Sequence, residues 1–117
     1  MEKLFALFEE IGLPYYRQGS LSDADYPPEF FTFWNIDTPN LRHRDNKVKE
    51  YAELVQIGYY TDNAEKIFSQ IDKDGEFHKK AKAKGFVFYG RAKDAPSDKE
   101  NYSGRVCYIR IIHKQEG

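Results

Sequence analysis

Cysteine is almost missing from this chain: Cys107 stands alone among 117 residues. One thiol closes no intramolecular disulfide and builds no cysteine zinc site, so the composition suits a reducing compartment. An excess of either charge is missing too. Eighteen lysines and arginines against nineteen aspartates and glutamates leave a formal charge of -1. That removes any global pull toward DNA or an anionic membrane and leaves only local patches to consider. No apolar run approaches the roughly 20 residues of a membrane span. At the start, "MEKLFALFEEIG" sets glutamates at both ends of a short apolar stripe, whereas a signal peptide needs an unbroken apolar run behind a basic start. A soluble, cytoplasmic protein is expected.

Patterns that carry chemistry are equally scarce. His43, His78 and His113 fall in three separate segments, and no metal-ligand spacing joins any two of them. Cys107 and His113 share a strand face but lie about 20 Å apart along an extended chain, too far to act as nucleophile and base. There is no glycine-rich phosphate loop; Gly19, Gly58 and Gly90 are isolated. "DKDGEF", Asp72 to Phe77, superficially resembles a calcium loop. Starting the loop at Asp72 puts Phe77 where glycine belongs, and placing Gly75 there puts Ala81 in the last ligand position, so neither register works. No catalytic residue, metal or cofactor is expected, and the chain does not read as an enzyme.

What the chain does have is aromatic surface. Nine tyrosines, nine phenylalanines and one tryptophan stand beside 32% charged residues, the composition of a folded chain with heavy side chains to bury. The length suits one domain over 1–117. Leu4, Leu7, Phe8 and Ile11 follow a helical period that Gly12 and Pro14 end, so residues 2–12 read as an amphipathic helix. Residues 13–17 read as a short strand and "QGSLSDADYPP" as a surface loop. Glu29 to Ile36 reads as a strand, since aromatics suit a pleated surface and the two prolines before it keep a helix from running through.

Asp37 to Lys47 is either a polar loop or a splayed hairpin arm, and Val48 to Tyr60 a long strand. Asp62 and Glu65 have capping-box spacing and open a helix expected to run to Lys84, where Gly85 caps it. Two last strands, Phe86 to Lys93 and Arg105 to His113, flank the loop "DAPSDKENYSG". The expected fold is α+β: a mostly antiparallel sheet of about four to five strands, order α-β-β-β-α-β-β, with two helices on one face.

Such a sheet has a second face, and the strands are apolar on both. In "EFFTFWN", Phe31 and Phe33 oppose Phe30 and Trp34; later, Cys107, Ile109 and Ile111 oppose Val106, Tyr108 and Ile112. The face without helices must be covered by loops or by another subunit. Interface candidates are therefore Phe30 and Trp34, together with the loop residues Arg42, His43, Arg44 and Lys47 and, in the last loop, Asp94, Asp98, Lys99 and Tyr102. "HKKAKAKG" is the most basic run, and lysines in a last helical turn are favoured by the helix dipole without any ligand.

The run "YYRQGSLSDADYPPEFFTFWNIDTPNLRHRDNK", the strand ending "YYTDNAEKI", the helix closing on "KGF" and the final "SGRVCYIRI" resemble a family of small proteins of long-tailed phages and prophages of Gram-positive bacteria. These are minor structural, tail-completion or head-to-tail joining proteins. The resemblance runs from about Leu4 to Ile112 and is densest over Gln18 to Asn46; after the Asp45-Asn46 pair this chain departs from the family pattern, with Val48, Lys49, Glu50 and Tyr51. It implies a tail-terminator-like fold and, by analogy with tail terminators, a ring of six subunits at the tail-head junction. Its implied partners are copies of itself and the tail tube or head connector, with neither sequence-specific nucleic acid nor a membrane. It implies assembly in the host cytoplasm and residence in the virion. Two other classes stay open: a nucleic-acid-binding module using strand aromatics and the lysine-rich helix end, and a ligand-binding domain with a cleft lined by Tyr, Arg and His.

Overall fold

The computed structural model describes residues 2–21, 26–37, 40–44, 47–97 and 99–114, and the backbone alone at 37, 40–44, 47–50 and 114. Its elements are α1 (Glu2–Ile11), β1 (Tyr15–Arg17), β2 (Glu29–Asp37), β3 (Asn40–Arg44), β4 (Lys47–Thr61), a 3-10 turn (Ala64–Lys66), α2 (Glu76–Ala83), β5 (Val87–Ala95) and β6 (Ser103–Lys114). The fold is α+β. Five strands lie side by side in the order β1-β2-β4-β6-β5, and β3 pairs with β4 outside that path. Only β1 and β2 run parallel; the other pairs are antiparallel.

The stretch left open between loop and hairpin arm forms the arm. Tyr51 pairs with Asn40 on one side and with His113 on the other, so β3 lies on the edge of β4 opposite β6, end to end with β2. The element order therefore gains a strand, α-β-β-β-β-α-β-β. Charged β3 carries no long apolar run, and its strand state comes from pairing with β4. At about 3.3 Å per residue, the 15 residues of β4 rise about 50 Å and set the longest dimension of the molecule, 53 Å.

Both helices pack on one face of the sheet. Leu4, Leu7 and Phe8 of α1 and Phe77 and Ala81 of α2 are buried there against Phe31, Val55, Ile57, Tyr59, Cys107, Ile109 and Ile111. Phe8 is the hub, with ring centroids 4.8 Å from Phe31, 4.9 Å from Tyr15 and 5.8 Å from Phe77. Gly12, with φ of 87°, stops α1 while its N–H reaches the Phe8 carbonyl at 2.9 Å.

The second helix differs from its expected form. A continuous helix from Asp62 to Lys84 is replaced by the 3-10 turn, an irregular bend and the short α2. The cap of the turn is Asn63, whose side chain accepts from the Glu65 N–H at 3.0 Å. Gly75 is the break: it is the extended N-cap of α2, and a Cβ there would sit 2.3 Å from the Gln70 carbonyl oxygen. The chain folds back so closely that Ser69 and Gln70 carbonyls accept the N–H groups of Glu76 at 2.9 Å and His78 at 3.0 Å. Gly85 does end α2 as expected, at φ of 88°. Its N–H bonds the Lys82 carbonyl and the Phe86 N–H bonds that of Ala81, a Schellman closure.

Candidate functional site

Strand register turns the second sheet face into rows that cross the strands. Phe30, Tyr60, Gly104 and Ala95 form the first row, and Trp34, Gln56, Tyr108 and Tyr89 the third. Between them run Thr32, Gly58, Val106 and Lys93; beyond them, Leu54 lies across from Arg110 and Val87.

The first row is covered by the chain itself. Tyr60 lies flat over two glycines: a Cβ on Gly104 would meet its ring at 2.5 Å and one on Gly58 at 2.9 Å. Phe30 stacks on Tyr60 at 5.4 Å, Tyr26 meets Phe30 edge-on at 5.5 Å, and Tyr102 meets Tyr26 at 5.7 Å. The Tyr102 hydroxyl donates to the Pro27 carbonyl at 2.8 Å, which ties the β5–β6 connection to the segment before β2. Loops thus build a second, smaller aromatic core over one end of this face.

The rows beyond it are open. Trp34 is 43% exposed, Ile36 49% and Tyr89 44%. Arg17 reaches over the Trp34 ring at 5.5 Å, and Arg110 over the Tyr89 ring at 5.6 Å. Arg110 Nε is buried and has no hydrogen-bond partner among the described residues. A buried guanidinium N–H without an acceptor is costly, and a carboxylate or carbonyl from another molecule would satisfy it.

The sequence-derived candidates separate on this geometry. Phe30 is 3% exposed and belongs to the loop-covered core, whereas Trp34 stands on the open rows. Arg42, His43, Arg44 and Lys47 lie at the end of the arm, where Arg44 pairs with Lys47, and their side chains fall outside the description. Asp98 lies outside the described residues altogether. Lys99 sits 5.4 Å over the Tyr26 ring. Asp94 Oδ1 accepts from Arg105 Nη1 at 2.9 Å on the helix-covered face.

Arg105, which sequence reasoning passed over, is a junction. It donates from Nε to Asp72 at 3.1 Å and from Nη2 to both Asp72 and the Ala92 carbonyl, and lies 5.0 Å over the Phe68 ring. Hydrogen bonds to Asp72 raise its already high pKa, so the clamp stays charged. Glu53 was missed as well. Largely buried, it accepts from Asn35 Nδ2 at 2.8 Å and meets His113 Nε2 at 2.7 Å, while Tyr51 stacks on the imidazole at 4.7 Å. Burial works to raise the Glu53 carboxyl, but hydrogen bonds and positive charge, those of His113 among them, hold it below its ordinary value. An arginine or glutamate inside an otherwise apolar strand was the signal for each, since charge inside a strand demands a partner.

Cys107 does not meet His113. It lies in the core, where burial pushes the thiol up to about 12, the environment of an inert cysteine. Among the described residues no three His, Cys, Asp or Glu side chains converge as a metal site, and no helix is long and apolar enough to cross a membrane. Compared with protein-family models and with curated proteins, the chain matches none.

Proposed function

We propose that the chain is a virion structural subunit of a long-tailed phage or prophage. In this reading it completes the tail or joins head to tail, has a tail-terminator-like fold, and assembles as a closed ring of about six copies at the tail-head junction. The observation that carries the reading is the open part of the second face: three large exposed apolar side chains beside an arginine N–H that lacks an acceptor. A monomer gains nothing from such a surface, and a neighbour that buries it gains both apolar area and the missing hydrogen bond. The resemblance of Gln18 to Asn46 to tail-completion proteins names the assembly.

A ring of like subunits is heterologous, so each copy uses two different patches. The open rows supply one. The β3–β4 arm is the better surface for the tail tube or connector, because Lys99 and Tyr102 of the other loop are engaged within the chain. The role is recognition and not turnover, and DNA would pass the ring without being read by sequence. Assembly takes place in the host cytoplasm and the product resides at the neck or tail terminus. Quantitative mass spectrometry on purified particles tests this: one ring's worth, about six copies per particle, is expected. Absence of the chain from intact particles overturns it.

A further inference from the structure

A concavity lies between α2 and β5 on the helix-covered side of the sheet, the face opposite the open rows. It is a half-open cleft of about 700 Å³, within the roughly 300–1,000 Å³ typical of small-molecule sites. Three pieces of chain build it. One face of α2 contributes His78, Lys79 and Lys82, a helical i, i+1, i+4 set; the bend before α2 contributes Lys73 and the Asp72 that Arg105 already holds; β5 contributes Gly90 and Arg91.

The β5 part is irregular. Tyr89 pairs with Tyr108 and Lys93 with Val106, so residues 90–92 stand opposite Cys107 alone. Gly90 takes a left-handed φ of 64° there. Such a bulge bends a strand away from its ladder, and bulges recur beside sites because they re-aim side chains and backbone.

Charge and polarity in the cleft are one-sided. Five cationic side chains, those of Lys73, Lys79, Lys82, Arg91 and Arg105, face two carboxylates, of which Asp72 is neutralised by Arg105. Among the described residues no carboxylate lies in ion-pair distance of Lys73, Lys79, Lys82 or Arg91. His78 stacks on Phe88 at 4.2 Å and 17°, and its Nδ1 is buried without a hydrogen-bond partner. Ile71, Phe88 and Cys107 give the floor an apolar surface. Unpaired cations around an apolar, aromatic wall match a ligand with a strongly anionic end and a flat body.

We propose that this cleft binds a nucleotide, its phosphates held by Lys79, Lys82 and Arg91 and its ring lying against the His78–Phe88 wall with a polar edge toward His78 Nδ1. The site is separate from the open sheet rows and stands or falls independently of the ring. The same chemistry reaches the cleft as a free nucleotide or as one unit of a single strand.

The test is isothermal titration of the full chain with ATP, adenosine, inorganic phosphate and a short oligothymidylate, repeated on a Lys79→Glu, Lys82→Glu double variant. ATP is expected to bind at least about tenfold more tightly than adenosine or phosphate, which each engage half the site, and the double variant to lose about tenfold or more. A thermal melt matching that of the parent shows the variant is folded; if it is not, Arg91→Glu, on the exposed strand edge, takes its place. Tighter binding of the oligothymidylate than of ATP, lost in the variant, identifies a strand as the source of the nucleotide. Equal binding of ATP and phosphate overturns the proposal, as does ATP affinity unchanged in the folded variant or no heat from any nucleotide.

Discussion

The two faces of the sheet are made by the same strands and both carry large apolar side chains, yet they are finished differently. On one, Phe8 and Phe77 bring helices down onto Phe31 and the core closes. On the other, loops carry Tyr26 and Tyr102 over Phe30 and Tyr60 and then stop, so that Trp34, Ile36 and Tyr89 stay exposed. Strand alternation decides which residues share a face, but a face is buried only as far as other parts of the chain can reach. Two short helices and two loops do not reach far enough to close both sides of a sheet whose longest strand, the 15-residue β4, runs about 50 Å.

The contrast can be broken most severely on the helix side. Phe8→Ala removes the hub of a closed core and is expected to cost about 3–5 kcal/mol in denaturant unfolding. Next is the charged network at the far end of the same face. Glu53→Ala strips His113 and Asn35 of a shared acceptor and should cost about 2 kcal/mol. Because the Glu53 carboxyl is held below its ordinary value of 4.5, it adds stability above that pH. That stability is lost as pH falls through the lower folded-state value. Parent stability should therefore decline on acidification below about pH 4.5, and the decline should be shallower in Glu53→Gln.

The loop-covered end should respond less. Tyr102→Phe keeps the ring contacts and deletes the hydrogen bond to Pro27, for an expected loss of about 1 kcal/mol and faster proteolysis of the neighbouring loops. Smallest of all in stability is the open end, where Trp34→Ala should move monomer unfolding by no more than about 0.5 kcal/mol. Its effect belongs to association: sedimentation equilibrium should find self-association weakened about tenfold or more. A Trp34 variant that unfolds easily but associates normally would reverse the assignment of the two ends.

Much of this was legible in the chain. The helical period of Leu4, Leu7 and Phe8, the opposition of Phe30 to Phe31 and of Cys107 to Val106, and the Gly85 cap are local patterns, and local patterns survive folding. β3 was legible only as one of two alternatives, loop or hairpin arm, because a charged stretch becomes a strand only by lying beside a long partner. The break at Gly75 was legible only as a weak point, since a lone glycine costs a helix about 1 kcal/mol without ending it; the Gln70 carbonyl packs where a side chain would be, and that close approach exists only after folding. The partners of Arg105 and Glu53 were hidden for the same reason, since Asp72 and His113 are 33 and 60 residues away.

By itself, then, the sequence determined the α+β class, the amphipathic sides of strands and first helix, and the excess of aromatic surface over what two helices can cover. These follow from residue type and spacing within a single segment. Only the tertiary structure decided which end of the second face is closed, that Phe30 lies inside while Trp34 lies outside, and that lysines from α2 share a cleft with a bulge in β5. Those are outcomes of register and chain reach, set by pairings between segments far apart in the chain.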